Sequence, residues 1–426
     1  MFRRLWRRAL IVIGVLGPGF VTASAGNDVG GIFTYSQAGA LYGYTTLWTL
    51  VPLTISLIVV QEMAGRMGAV TGKGLAGLIR ENFGVRLTFF AMAALFFINT
   101  AISATEFAGI AAACEIFGLS RYIVVPASCL LVFLFVLRLP NKIVERVFVV
   151  LSLVYLSYIV SGVMAHPNWQ EVARGTLVPT LSLQTGFIVI VVGLIGTTIS
   201  PYMQFFLQSA VVEKGSRARD LFAVRADIVV GSILAIVLAG FMIIANAATI
   251  WISNQHLDAS HQITINNAVD VAKALEPLAG PYAAALFGFG ILNAGLFTAC
   301  VLPLATAYIV CEAFGFEAAV DRPFREAPVF YTLFAGALIA GALLVLIPNL
   351  PYLPLILLAQ VLQGIVLPLE LVMMLVIINR KRVMGAYTNT RTVNVISWIT
   401  AIVIGILALI YVVQTILAQF GIGASG

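Results

Sequence analysis

The feature that most restricts this chain is a succession of apolar runs, each about 20 residues long or longer, recurring from one end to the other. Apolar runs of this length count as membrane-spanning helices. Eleven such spans fall near 9–43 (broken at 26–31), 44–70, 86–117, 120–138, 144–165, 184–213 (interrupted near Pro201), 224–251, 280–312, 327–348, 352–379 and 391–419. With 61% of its 426 residues hydrophobic and 10% charged, the chain is excluded from the ordinary soluble globular class. The expectation is an all-α polytopic membrane protein, one transmembrane domain over residues 1–426 with the lipid bilayer as its surroundings.

Charge placement supports the span count. Of 24 Lys and Arg, all but Arg121, Arg174 and Lys273 fall on one face when the spans alternate. Basic loops mark the cytoplasmic side, which puts the N-terminus inside and the C-terminus outside a plasma membrane. The net charge of +6 is therefore read as loop asymmetry and not as nucleic-acid binding. The opening MFRRLWRRALIVIG has the basic-then-apolar order of a signal peptide, with Ala23-Ser24-Ala25 as a cleavage site. Cleavage there would discard half of a span, so retention is expected. Cys114, Cys129, Cys300 and Cys311 sit singly in apolar segments and read as packing residues, without zinc or disulfide spacing.

The span that organises the rest contains Gly17–Gly31, GPGFVTASAGNDVGG. Its five glycines and one proline weaken regular helix around Asp28, and an ionised carboxylate at membrane depth costs about 3 kcal/mol on insertion scales. Freed carbonyls beside one carboxylate are the usual ingredient of a cation site in a secondary transporter. The VGLIGTTISPYMQ stretch in span six repeats the design, a Gly-bearing half-helix running into a break. Spans one to five (about 9–165) and six to ten (about 184–379) then form two repeats. Five is odd, so they have opposite topology, and span eleven (about 391–419) is an addition. Residues 71–84, TGKGLAGLIRENFG, form an inner connector whose Leu75, Leu78, Ile79 and Phe83 share one face of a short interfacial helix.

At GPGFVTASAGNDVGGIFTYSQAGA, TGKGLAGLIRENFG and TTISPYMQFFLQSA, over nearly its whole length, the chain resembles the NRAMP family of divalent metal transporters. The resemblance implies the leucine-transporter-like (LeuT-like) inverted repeat of 5+5 helices, here with one further helix for 11 in all. It also implies transport in place of catalysis, with the ion as cargo and no cofactor. The family's DPGN and MPHN signatures are both altered: Asp28-Val29-Gly30-Gly31 stands at the first and Ser200-Pro201-Tyr202-Met203 at the second. In these places the chain is most similar to the NRAMP-related magnesium transporters. A thioether is a soft ligand offering little to magnesium, so Ser200 in its place leaves oxygen donors. Loss of the asparagine side chain at Gly31 predicts a wider pocket, suited to an ion that keeps its waters. Asp28 is the first expected ligand, with the Ala25 and Thr197 carbonyls carried over by resemblance. Asn27, Ser200, Tyr202 and Gln204 are outer candidates, and Gln360 matches a family glutamine that approaches the metal. Because Pro201 to Gln208 is one residue longer than the family pattern, Met203 either replaces the missing thioether or is a packing methionine.

Other polar residues have two readings each. Glu106, with Ser103 and Asn99 on the same helix face, lines a cation-attracting cavity or is a hydrogen-bonded structural acid. Gln360 can equally serve as interhelical glue. Glu370 is expected to pair with basic residues near the cytoplasmic end of span ten. His256, Asp258 and His261 match no metal motif and read as a solvated loop. Gly288-Phe289-Gly290 lacks the strand-to-helix context of a dinucleotide fingerprint. The function expected is uptake of divalent metal ions, magnesium first with manganese also accepted. The alternative is a sodium- or proton-coupled carrier of amino acids or organic cations on the same scaffold. His166, His256 and His261 all fall in outer loops, Ser103 and Gln208 stand where the family has titratable groups, and span nine lacks arginine, so proton coupling is not expected.

Overall fold

The computed structural model describes residues 25–138, 156–255, 283–317 and 324–419, with positions 271 and 280. Its helices are α1 (Val29–Tyr42), α2 (Leu50–Thr71), α3 (Leu75–Phe83), α4 (Val85–Ile116), α5 (Arg121–Arg138), α6 (Leu156–Met164), α7 (Trp169–Leu177), α8 (Thr185–Thr198), α9 (Pro201–Glu213), α10 (Leu221–Asn246), α11 (Ile252–Gln255), α12 (Ala283–Phe314), α13 (Pro328–Val345), α14 (Tyr352–Ile378), α15 (Lys381–Met384) and α16 (Arg391–Gln419). Nine stretches among the described residues are long and apolar enough to cross a membrane. Val29–Thr71 joins the end of span one to span two through a 3-10 turn, Gly43–Thr49, and span five is described only from Leu156. The signal-like opening, the first half of span one and the loop with His256, Asp258 and His261 lie outside the described residues.

Helix ends follow local chemistry. Gly72 and Gly84 end α2 and α3 at φ 65° and 81°, a left-handed region that glycine enters without a Cβ penalty. Span six is cut because a proline disfavours helical geometry in the residue before it: Ser200 is extended (φ −67°, ψ 135°) and Pro201 restarts the helix at its first position. The connector expected at 71–84 is α3, with Leu75, Leu78 and Ile79 buried and Phe83 packed at the margin.

The bundle is inverted relative to a soluble protein. Phe97, Ile123 and Leu409 point outward, whereas Asn99, Glu106, Gln208 and Gln360 are buried. At its centre α4 packs on α12, α13 and α14, while α1 lies between α8, α10 and α14. Small residues set these crossings: Gly109 of α4 seats Val29, and Gly288 lies in contact with Phe117, consistent with close helix contact at GFG. All four cysteines are free.

Candidate metal centre

Asp28 begins α1 as its N-cap. Its backbone is extended (φ −66°, ψ −178°), Oδ1 accepts the Gly31 amide at 2.6 Å, and Oδ2 has no partner among the described residues. The helix N-terminus favours the ionised carboxylate, yet the residue is only 1% exposed, so its open oxygen calls for a cation. Facing it is the α8–α9 break. Thr197 Oγ1 lies 3.5 Å from the Gly26 carbonyl, and the Tyr35 hydroxyl is 2.9 Å from Thr198 Oγ1, so the two breaks are tied together. A Cβ placed on Gly26 would stand 3.1 Å from the Met203 methyl, 3.4 Å from the Thr197 carbonyl oxygen and 3.7 Å from that of Thr198.

A second carboxylate stands directly behind. Glu106 of α4 is fully buried; Oε2 accepts the Val29 amide at 3.3 Å and Oε1 has no partner among the described residues. Glu106 thus meets the residue next to Asp28, which sets two carboxylates close together, and Tyr202 is fully buried in the first turn of α9. Two carboxylates in low dielectric repel strongly, and a doubly charged cation relieves that repulsion better than a single charge does. Among the described residues no three His, Cys, Asp or Glu side chains converge. The donors on offer are therefore one or two carboxylates, backbone carbonyls, hydroxyls and an amide, which are hard oxygen groups.

Each candidate from the sequence takes a definite place. Ala25 opens a 3-10 turn, Ala25–Asn27, but the carbonyl that meets Thr197 belongs to Gly26, one residue on. Asn27 turns its amide nitrogen away, toward the Ala235 carbonyl at 3.4 Å. Ser200 folds its hydroxyl back onto the Gly196 and Thr197 carbonyls at 2.8 and 3.2 Å, so it caps the end of α8. Gln204, with its amide oriented to suit its neighbours, donates to the Ser200 carbonyl at 2.6 Å and also supports the break. The Gln360 amide nitrogen abuts Gly30 beside Asp28 Oδ1, and its oxygen accepts from Gln363 of the same helix, α14, at 3.1 Å. Met203 is fully buried with its methyl on Gly26, which excludes a lipid-facing position.

Three expectations are corrected. The pocket at Gly31 is not widened: a Cβ there would collide with the Gly26 carbonyl and stand 3.0 Å from Thr197 Oγ1 and 3.3 Å from the Tyr35 ring. The turn has closed over the space a side chain would need. Ser103 does not face open space with Glu106; it packs against Gly341 of α13 and donates to the Asn99 carbonyl at 3.0 Å. Glu370 forms no ion pair among the described residues: it is 1% exposed and neither oxygen has a partner. Gly26, Tyr35 and Thr198 were not singled out from sequence. Tyr35 follows Asp28 by seven residues, two turns on the same helix face, and that spacing is the signal that identifies it.

A bundle in which a broken helix meets a buried carboxylate at the start of another is the architecture of a secondary transporter. Residues 19–414 match the model of the natural resistance-associated macrophage protein-like (Nramp) family, and the chain belongs to that family. It is similar to the divalent metal cation transporter MntH of Yersinia pestis (strain Pestoides F), 28% identical over 407 residues that cover 92% of this chain and 93% of the relative. It is equally similar to MntH of Klebsiella pneumoniae (strain 342), 28% over 410 residues and 93% of each. A crystal structure of an Eremococcus coleocola manganese transporter has the same LeuT-like fold, with TM-score 0.74 at 22% identity over 97% of this chain and 89% of that one. The closed form of Mhp1, a nucleobase-cation-symport-1 family transporter, superposes with TM-score 0.53 at 14% identity, over 95% and 92% of the two chains.

Proposed function

We propose that the protein carries divalent metal cations across the plasma membrane, magnesium first and manganese also, with the ion held at Asp28 and still partly hydrated. The observation behind this reading is the buried Asp28 Oδ2, without a partner among the described residues, between a Gly26 turn that meets the Thr197 and Thr198 carbonyls and a Val29 amide that donates to Glu106. Magnesium is favoured by the oxygen character of the Asp28 carboxylate and the carbonyls at the break, with Ser200 standing where the family has a thioether. Manganese accepts the same donors, and the names of the relatives support a divalent metal as the class of cargo. An amino-acid carboxylate would be repelled by Asp28, which weighs against the alternative carrier. With the N-terminus inside and the C-terminus outside, an inside-negative potential of 100 mV drives uptake of a divalent ion by about 4.6 kcal/mol. That drive suffices without proton coupling, for which no histidine is available in the spans.

Calorimetric titration of the purified protein tests the reading. Magnesium chloride and manganese chloride are expected to give saturable heats that Asp28→Ala removes, while a panel of amino acids gives none. Saturable heat from an amino acid, with none from either metal, would overturn it.

A further inference from the structure

The end of the bundle nearest the connector holds a buried carboxylate that the metal centre does not use. Glu312 lies two residues before the end of α12, and its carboxylate is packed onto the backbone of Gly74, the N-cap of α3. A Cβ at Gly74 would occupy the place of the carboxylate. Ser209 of α9 donates to Glu312 Oε1 at 2.5 Å, and the carboxylate faces the Ala76 amide in the first turn of α3. Next along α9, Gln208 Nε2 donates to the Lys73 carbonyl at 2.8 Å. At the far end of α3, Arg380 Nη1 donates to Asn82 Oδ1 at 2.8 Å. Leu75, Ala76, Leu78 and Ile79 are no more than 1% exposed, sunk against α4, α9, α12 and α14.

A helix N-terminus presents unpaired amides and partial positive charge, and α3 has no side-chain cap of its own. Glu312 brings a carboxylate to that helix start from another helix. The same carboxylate holds Ser209, which follows Pro201 by eight residues, about 12 Å along α9. One group therefore ties the connector, α12 and the far end of the half-helix that bears the break. We infer that Glu312 is a latch that keeps α3 docked beneath α9, and that release of this latch opens the path between the Asp28 break and the arginine-rich face. The purpose assigned to the latch rests on the transporter reading; the docking itself does not.

Hydrogen–deuterium exchange of the full chain in detergent tests the latch without any transported ion, so its outcome is separable from that of the metal titration. Glu312→Gln keeps the size but replaces one acceptor oxygen by a donor NH2, so the side chain no longer accepts on both sides. Peptides covering residues 74–83 are expected to exchange at least about tenfold faster, an opening equilibrium shifted by about 1.4 kcal/mol, with the interior of α4 unchanged. Gly74→Ala, which displaces the carboxylate, is expected to do the same, and Ser209→Ala to give a smaller rise of about threefold for one lost hydrogen bond. Unchanged protection of 74–83 in Glu312→Gln would overturn the inference. So would an equal rise in α4 and α10 in all three variants, since that would make Glu312 a general folding residue and not a latch.

Discussion

Gly31→Ala is the smallest perturbation that separates a closed break from an open one. The added methyl meets the Gly26 carbonyl at a distance no real Cβ tolerates, with Thr197 Oγ1 at 3.0 Å and the Tyr35 ring at 3.3 Å on its other sides. Gly26 has little room to retreat, because Thr197, Thr198 and the Met203 methyl stand behind it. The turn must shift, at a cost of about 1–3 kcal/mol typical of overpacking. The shift moves Asp28, whose Oδ1 is held by the Gly31 amide at 2.6 Å. Ligands need placement to about 0.5 Å, so most of that cost falls on the ion, and affinity is expected to drop about tenfold to a hundredfold for magnesium and manganese alike. Calorimetric titration of the variant against the parent chain measures it. Unchanged affinity for both ions would refute the reasoning and return the site to the wider pocket that the missing asparagine implies.

Three further outcomes are expected. Met203→Leu should leave the ratio of magnesium to manganese affinity within about twofold, because a thioether would have to reach the ion to discriminate; a selective loss of manganese in competition titrations would make Met203 a ligand. Glu370→Met should raise thermal stability by about 1–3 kcal/mol, since it replaces a buried carboxylate with no partner among the described residues by an apolar side chain; a lower melting temperature on a fluorescence scan would show that Glu370 has a structural partner. A pH-sensitive dye inside sealed liposomes should report no acidification in step with magnesium influx; acidification above the leak of empty liposomes would establish coupling.

The sequence makes some features legible and hides others for physical reasons. Spans are written in one dimension by apolar length, and the α8–α9 break by Ser200-Pro201, because both obey local rules. Asp28 stands out because a charge among glycines in an apolar run is too costly to keep unless it meets a ligand or a partner. The width of the pocket at Gly31 is hidden, since it depends on where the Gly26 carbonyl comes to rest after two distant breaks have packed. The turning of Ser200 onto α8 is hidden for a related reason: a serine satisfies its own helix as readily as it faces a ligand. Glu370 misleads because its nearness to arginines in sequence says nothing about the direction its helix turns it. The connector α3 is legible as an amphipathic segment, but its tie to Glu312, more than two hundred residues later, is not.

The most direct test of the central claim, that a divalent cation passes the break by way of Asp28, is metal flux into proteoliposomes. Two preparations reconstituted at equal protein density, parent and Asp28→Ala, would be compared with a magnesium- or manganese-sensitive dye inside. Saturable, potential-driven entry is expected in the parent and entry no faster than into empty liposomes in the variant, with both proteins eluting alike on size exclusion. Undiminished flux through Asp28→Ala would contradict it.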